Sequence, residues 1–557
     1  MIKIEERPTK KVVGDTSLFV SFPYNADIVS VCSSFSGCNY NKKDKEWEIP
    51  VTYLSELLDK LCILGDIEMS VLPDYNEETP YTKHTFNGKT EMFDYQKDGA
   101  EFCLSHERCL LLDVPGLGKT IQVLNVAEEL RKEGAIKHCL IICGLNALKY
   151  NWKREIEKHT YSDSIILGER INRNGKSVIG SVKDRLGHLK TDIPQFYVIT
   201  NLETLRDKDI TEEILKGKNK FDMIVVDEIH KCKDSHTQGA SNLLKLTESK
   251  YRIGLTGTLL LNNPMDAYVA LRWIGAERST QSNFKYFYVR FGGLFNNQIL
   301  GYQHIDYLKD TLGKYALRRK KDMLKLPPKT IINEYVEMSP LQHTFYEQVK
   351  HGIRDSVDKV HLSTANLLAL VARLRQATAC PSMLTTEVID SAKKERCIDL
   401  VEQIVSNGEK VVVFSTFKQT ACEIADALSE FGSLLATGDI KDEVVNQRIV
   451  EFQTDPSKKV FVATWQKCGT GVTLTAANNV IFIDTPWTEA DYSQAQDRCY
   501  RIGTTKNVTI YNLITKDTID ERVLEIITDK RAISSYIIDN EVPLDAIESL
   551  RKYIEDI

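Results

Sequence analysis

Three short stretches carry residues whose types and spacing could act together on a nucleoside triphosphate. In DVPGLGKT, Gly116 and Gly118 let backbone N–H groups wrap phosphate oxygens, Lys119 brings a positive charge to the β and γ phosphates, and Thr120 offers a hydroxyl to magnesium. Pro115 and Leu117 complete the loop, and Asp113 stands where the full GxxxxGK[ST] pattern has its first glycine. In DMIVVDEIH an apolar run ends in Asp227 and Glu228: one carboxylate suits a magnesium ion, and the next can orient and deprotonate an attacking water. His230 completes a DExH pattern and is placed to link that chemistry to a neighbouring segment. In QAQDRCYRIG, Arg498 and Arg501 follow Gln494 at spacings that, on a helix, put all three on one face, from which the two guanidiniums could reach transition-state charge across a cleft. Upstream, FDYQ offers Phe93 and Tyr95 as a stacking edge and Gln96 as an amide able to read adenine. Together these stretches predict a site that binds ATP with Mg2+ and hydrolyses it.

Such groups need a scaffold that brings strand ends together. From about residue 93 to 275, the runs CLLLDV, CLIICGL, FYVIT, DMIVVDE and YRIGLTGT alternate with amphipathic stretches, which predicts a parallel sheet covered by helices on both faces. The same grammar returns over 401–530 in VVVFST, VFVATW, VIFIDT and VTIYNLI. The fold class expected is α/β, with two RecA-like parallel-sheet lobes, helical insertions over 276–400 that include the interlobe linker, and a small N-terminal α+β module. That module, residues 1–75, reads as strand SLFVSF, a helix after Asn25, a polar hairpin NYNKKDKEWEIP and a helix VTYLSELLDKL; 76–92 reads as a linker and 531–557 as a C-terminal amphipathic helix.

The totals narrow the class further. A chain of 557 residues has room for several domains, and 42% hydrophobic with 27% charged residues fits a globular protein rather than a disordered or repeat chain. No apolar run approaches the roughly 18 residues a membrane span needs, and the start lacks an apolar signal core, so the expected location is cytoplasmic with no membrane association. Thirteen cysteines without a CxxC pair read as reduced core thiols. Against a net charge of −6, a polyanion must be held by a local track; the densest basic run is Arg318, Arg319, Lys320 and Lys321.

The segments LLLDVPGLGKTIQ, LIICGLNALKYNWKREIEKH, VVDEIHKCKD, IGLTGTLLLNN, LRRKKDMLKLPPK, KVVVFSTF, GTGVTLTAANNVIFIDTPW and QAQDRCYRIG occur in the order typical of SWI/SNF-type remodelling ATPases of helicase superfamily two. The chain resembles that family from residue 90 to about residue 530. The resemblance implies movement along double-stranded DNA held mainly through backbone phosphates. It implies that Thr256, Gly257, Thr258, Ser415, Thr416, Thr464 and Thr473 face that DNA, that Arg318 and Arg319 couple the lobes, and that Gly471 lies at the nucleotide. Pro115, Leu259, Tyr500 and Thr504 depart from the family's usual residues, Thr504 standing in place of the glutamine of RIGQ; none removes a catalytic group.

The stretch FVSFPYNADIVSVCSSFSGCNYNKKDKEWEIPVTYLSELLDKL is similar to the HARP module of annealing helicases, which implies recognition of forked DNA, with Trp47 stacking on a base and Lys42, Lys43 and Lys45 on phosphate. The expected function is an ATP-dependent translocase on double-stranded or forked DNA that remodels or anneals branched DNA as a monomer. Displacement of DNA-bound protein complexes, which would add a protein partner on the DNA, and an RNA helicase are the alternatives. A non-catalytic scaffold would leave Lys119, Asp227, Glu228 and Arg501 without purpose.

Overall fold

Fully buried parallel strands read as continuous Val/Ile/Leu runs, and the runs of this sequence become the centres of two parallel sheets. The computed structural model describes residues 1–9, 15–71, 84–144, 148–171, 177–257, 259, 264–292, 298–320, 327–357, 364–387, 389–468, 472–486, 489–501 and 504–525. The chain divides into two compact units, Met1–Val114 with Lys119–Arg319, and Pro115–Gly118 with the chain from Lys320 onward.

In the first unit, seven strands line up in the order Ala316–Leu317, Arg108–Leu111, Tyr251–Leu255, Met223–Asp227, Cys139–Cys143, Tyr197–Asn201 and Ser164–Ile166. All neighbours are parallel, so the loops after Leu111, Asp227 and Leu255 emerge at one edge. The core between sheet and helices includes Leu111, Ile141, Val225 and Ile253 with Leu124 and Trp152 from the helices Lys119–Lys132 and Leu148–His159. Cys109, Cys139 and Cys143 are buried free thiols in this sheet.

The second unit has a six-stranded parallel sheet in the order Lys329–Val336, Val508–Thr515, Asn479–Phe482, Val411–Ser415, Val460–Thr464 and Leu434–Ala436. Helices cover it, among them Thr364–Ala379, Ala392–Ser406 and Asp442–Thr454.

Residues 276–400 carry strands beside the helical insertions expected there. They contain the helices Pro340–Val357 and Thr364–Ala379, but also an antiparallel pair, Val289–Gly292 with Gln298–Tyr302, and the strands Ala316–Leu317 and Lys329–Val336. The last two are edge strands of the two parallel sheets. An edge strand is half solvated and needs no apolar run: in KTIINEYV only Val336 is buried.

At the N-terminus, the expected helices Ala26–Ser33 and Leu54–Leu61 and the expected strands Thr16–Ser21, Asn39–Asn41 and Glu46–Pro50 are present, and two strands that escaped the reading, Ile2–Pro8 and Ile67–Ser70, complete a five-stranded sheet. Asn25 caps its helix by accepting from the N–H groups of Asp27 and Ile28 at 2.9 and 3.3 Å. The module sits on residues 272–287 of the same unit through ion pairs, Asp15 with Arg272 and Glu6 with Arg278 at 2.9 Å, and through an edge-on contact of Tyr53 with Phe287, ring centroids 4.8 Å apart. Of the expected linker, residues 84–92 lie on the first unit, where the Lys89 N–H donates to the His159 carbonyl at 2.9 Å. The expected C-terminal helix, 531–557, lies outside the described residues.

Candidate nucleotide site

The phosphate loop leaves the strand Arg108–Leu111 and enters the helix that begins at Lys119. Gly116 and Gly118 take φ of 90° and 78°, a backbone region closed to most side chains, so this turn requires glycine at both positions. Pro115 and Thr120 are half-buried and Leu117 is buried. Lys119 Nζ donates to the backbone carbonyl of Asp113 at 2.7 Å. Asp113, the departure from the phosphate-loop pattern, is therefore a structural part of the loop.

Its carboxylate does more. Fully buried, it accepts from Arg319 through both Nε, at 2.9 Å, and Nη2, and from Gln122 Nε2 at 3.2 Å. Arg319 also donates to Gln122 Oε1 at 2.6 Å and to the Tyr95 carbonyl. The backbone repeats the connection: Leu112 N–H donates to Leu317 O at 2.7 Å and Val114 N–H to Arg319 O at 3.2 Å, so the edge strand runs on beside the start of the loop. A methyl group at Gly99 would overlap Gln122 Oε1 and Arg319 Nη2, so a side chain at this point of the helix Asp94–Ser105 would push the Arg319–Gln122 bond aside. Removing one partner of a buried ion pair leaves an uncompensated charge, so Arg319→Ala is expected to cost about 3–5 kcal/mol. Chemical denaturation of the first unit's transition measures it; a loss under about 1 kcal/mol contradicts this bonding.

The two acids stand at the end of Met223–Asp227. Asp227 Oδ2 accepts from Trp152 Nε1 at 2.8 Å and its Oδ1 from the Glu228 N–H at 3.0 Å. Burial, then the charge of Glu228, pushes the Asp227 carboxyl above the usual carboxylate range, while Trp152 and Lys119 pull it back. Glu228 adopts φ 53° and ψ 48°, left-handed for a non-glycine residue and a strained conformation. The turn fits because Gly144 on the adjacent strand exit has no Cβ, which would lie 2.8 Å from the Cβ of Glu228.

From Glu228 a chain of contacts joins four of the expected coupling residues. His230 Nδ1 lies 3.3 Å from Glu228 Oε2 and 2.8 Å from Thr256 Oγ1, and both His230 and Thr256 are buried. The next residue, Gly257, accepts through its carbonyl from Arg318 Nη1 at 3.3 Å. Thr258 lies outside the described residues.

At the start of the helix Asp94–Ser105, Phe93 is 53% exposed and stacks at 6.0 Å on the largely buried Tyr95. Gln96 is buried and its Oε1 accepts from the Phe93 N–H at 3.0 Å, so it fixes the helix start with the carbonyl end of its amide. Burial pushes the Tyr95 hydroxyl up to about 12, with Arg319 opposing, so the ring stays neutral beside a cation.

In the second unit the helix Glu489–Gln496 ends before either arginine, which corrects the expectation of a shared helical face with Gln494. Backbone bonding tightens there from the four-residue step of Asp497 onto Ser493 to three-residue steps of Arg498 onto Ala495 and Cys499 onto Gln496. Arg498 is buried, donating to the carbonyls of Gln494 at 3.0 Å and Val472 at 3.4 Å. Arg501, partly exposed, donates through Nη1 to Thr473 Oγ1 at 2.9 Å. Thr504, where the resembled family has glutamine, accepts from the Arg501 N–H at 3.2 Å and donates to the Cys499 carbonyl at 2.7 Å.

Ser415 is buried and donates to Asp484 Oδ2 at 2.6 Å, and the Thr416 N–H donates to Asp484 Oδ1 at 2.8 Å. Asp484 also faces Arg375 Nη2 at 3.4 Å, so the loop after Val411–Ser415 is set by a buried ion pair. Thr464 ends the neighbouring strand, buried, and Gly471 lies outside the described residues. Trp152, Asp484 and Arg375 carry no local signal in the sequence, whereas Asp113 stands out there as a break in the phosphate-loop pattern without showing its bond to Arg319.

The donor set suits magnesium. The Thr120 hydroxyl and the Asp227 carboxylate are hard oxygen ligands, few enough to leave room for water and phosphate oxygens, and the Asp227 carboxyl, raised first by burial and then by the adjacent Glu228, would gain from a cation beside it. Thr120 and Asp227 would hold Mg2+, which would supply positive charge to the phosphates.

Family models agree with this architecture. The SNF2-related domain matches residues 94–383, and the helicase conserved C-terminal domain matches residues 392–503. The chain belongs to the SNF2-related family, with a helicase C-terminal domain following. Among curated relatives, an "Uncharacterized ATP-dependent helicase" of Mycoplasma pneumoniae is 26% identical over 81% of this chain and 43% of its own length. The "ATP-dependent helicase FUN30" of Saccharomyces cerevisiae is 26% identical over 86% and 50%, and human "Chromodomain-helicase-DNA-binding protein 6" is 25% identical over 88% and 19%. The chain spans half or less of the length of each. The solved "Sulfolobus solfataricus SWI2/SNF2 ATPase core in complex with dsDNA" has 25% identity, covering 82% of this chain and 94% of that one, with a TM-score of 0.38.

Proposed function

We propose that this protein is a DNA-dependent ATPase that moves along double-stranded DNA and uses the movement to remodel or anneal branched DNA. The observation that carries the reading is the Asp227–Glu228 pair at a strand end, tied by Trp152 and by the contacts Glu228, His230 and Thr256 to the segment that would face DNA. Lys119 and Thr120 would hold the triphosphate and its metal, Asp227 the metal, Glu228 the attacking water, and Arg498 with Arg501 the transition-state charge. Phe93 and Tyr95 would stack on the base. The names of the relatives, helicases and DNA-binding proteins among them, support nucleic acid as the activator. ATP turnover measured in parallel with duplex, forked and single-stranded DNA and RNA tests it: duplex or forked DNA should stimulate most, and stimulation by RNA alone overturns the reading.

The N-terminal module is proposed as the fork reader of a HARP-type protein. Support comes from the hairpin, where Lys42, Lys43 and Lys45 are exposed on a turn with Lys45 at φ 55°, beside Tyr40 and the half-buried Trp47, whose rings lie 5.2 Å apart. Deleting the module would uncover Arg272, Arg278 and Phe287 of the first unit, so point changes test the idea more cleanly. Lys42→Ala, Lys43→Ala and Lys45→Ala combined should leave duplex-stimulated turnover within about twofold. Fork preference should disappear, and the salt slope of fork binding should fall by about one per lost phosphate contact. An undiminished fork preference places fork recognition elsewhere.

A further inference from the structure

We propose that the second unit carries a phosphate-binding cleft of its own, on the side of its sheet opposite Ser415, Thr464 and Asp484. The strands Val411–Ser415, Val460–Thr464, Asn479–Phe482 and Val508–Thr515 run parallel, so their beginnings gather at one edge and those three residues at the other. With about 3.3 Å of rise per residue, the two edges lie roughly 13–17 Å apart. At the beginning edge lies a cleft of about 370 Å³ whose walls include Lys410, Lys459, Lys506, Thr475, Thr505 and Asn478.

The charges there do not cancel. Lys410 Nζ donates to the carbonyls of Phe452 and Asp455 at 2.5 and 2.8 Å, answering the negative C-terminal end of the helix Asp442–Thr454. Lys459 reaches the Gly408 carbonyl at 3.4 Å, and Lys506 stands 3.6 Å from Glu409, the one acid in the lining. Burial, and after it the charge of Lys459, hold Lys410 below the usual lysine range, with the Asp455 carboxylate opposing them. Three ammoniums against one carboxylate, with hydroxyl and amide donors around them, form a donor set that phosphate oxygens take. The volume suits one phosphate with its flanking group, from a free polyphosphate or from a nucleic-acid backbone.

The walls are bonded to Arg501 by two routes. Thr504 lines the cleft and holds the Arg501 N–H at 3.2 Å. Gln453, also in the lining, donates to the Thr473 carbonyl at 2.6 Å and accepts from the Ala476 N–H at 2.9 Å, while Thr473 Oγ1 receives Arg501 Nη1. An anion in the cleft therefore stiffens the backing of Arg501. This link rests on the proposed role of Arg501 in hydrolysis; the binding does not.

The test uses the full chain carrying Lys119→Ala, which weakens anion binding at the phosphate loop, with and without Lys459→Gln and Lys506→Gln. Inorganic pyrophosphate and a DNA duplex are titrated separately, the duplex across a salt series. A site for free polyphosphate predicts that the glutamine pair weakens pyrophosphate binding at least tenfold and leaves the DNA salt slope unchanged. A site for backbone phosphate predicts a slope smaller by about one to two. If the double variant folds poorly, Lys506→Gln alone, at a side chain 65% exposed, should move the same readout by about half. Unchanged pyrophosphate affinity together with an unchanged salt slope overturns the proposal.

Discussion

Glu228→Gln lowers ATP turnover at least about a hundredfold while the protein stays folded and still binds nucleotide. The substitution keeps size and hydrogen-bonding capacity but removes the basic oxygens that would take a proton from the attacking water. The strained backbone of Glu228, at φ 53°, is tolerated here because Gly144 leaves space for it, and the change to glutamine alters neither. Lys119→Ala falls as far for a different reason, loss of charge on the β and γ phosphates, and weakens nucleotide binding as well. The two variants therefore separate: Glu228→Gln affects the rate, Lys119→Ala the rate and the affinity. Steady-state turnover beside a nucleotide titration reads both, and a purified Glu228→Gln protein with near-normal turnover removes the assignment.

Arg501→Ala is expected to lower hydrolysis about a thousandfold or more and to leave the dissociation constant for ATP within a fewfold, because in its proposed role the guanidinium acts on charge that develops only in the transition state. The structure makes Arg501 the sharper test of the two arginines. Arg498 is buried and holds the carbonyls of Gln494 and Val472, so its loss also loosens the turn. Arg501 is partly exposed, so alanine there removes charge with less packing than at Arg498. Loss of binding and turnover in equal measure would make Arg501 structural.

What the sequence revealed follows from how local each signal is. The apolar runs in FYVIT and DMIVVDE are buried on both faces, so the strand centres are continuously apolar and show themselves without their neighbours. The phosphate loop and the Asp227–Glu228 pair were legible because each lies in one short segment. Edge strands were not: KTIINEYV pairs with Val508–Thr515 along one side and meets solvent along most of its length, so its pattern is that of a loop. The turn holding Arg501 was misread as helix because the spacing of Gln494, Arg498 and Arg501 fits a helix, whereas Thr504, by bonding Cys499 and Arg501, stabilises a different path. The Asp113–Arg319 pair joins residues distant in the chain, and the pairing of Ser415 with Asp484 likewise exists only after folding. A hydroxyl expected at a DNA strand proves committed to a buried carboxylate, which leaves the backbone around Thr416 as the group Asp484 positions.

The measurement that bears most directly on the central claim is displacement of a triplex-forming strand from a DNA duplex, since a protein that moves along a duplex must strip the third strand without separating the other two. The wild-type chain is predicted to release that strand with ATP, to fail with a non-hydrolysable analogue, and to fail as Glu228→Gln even when nucleotide and DNA are bound. DNA-stimulated ATP turnover at full rate with the third strand left in place would contradict translocation and leave an ATPase that binds DNA without moving along it.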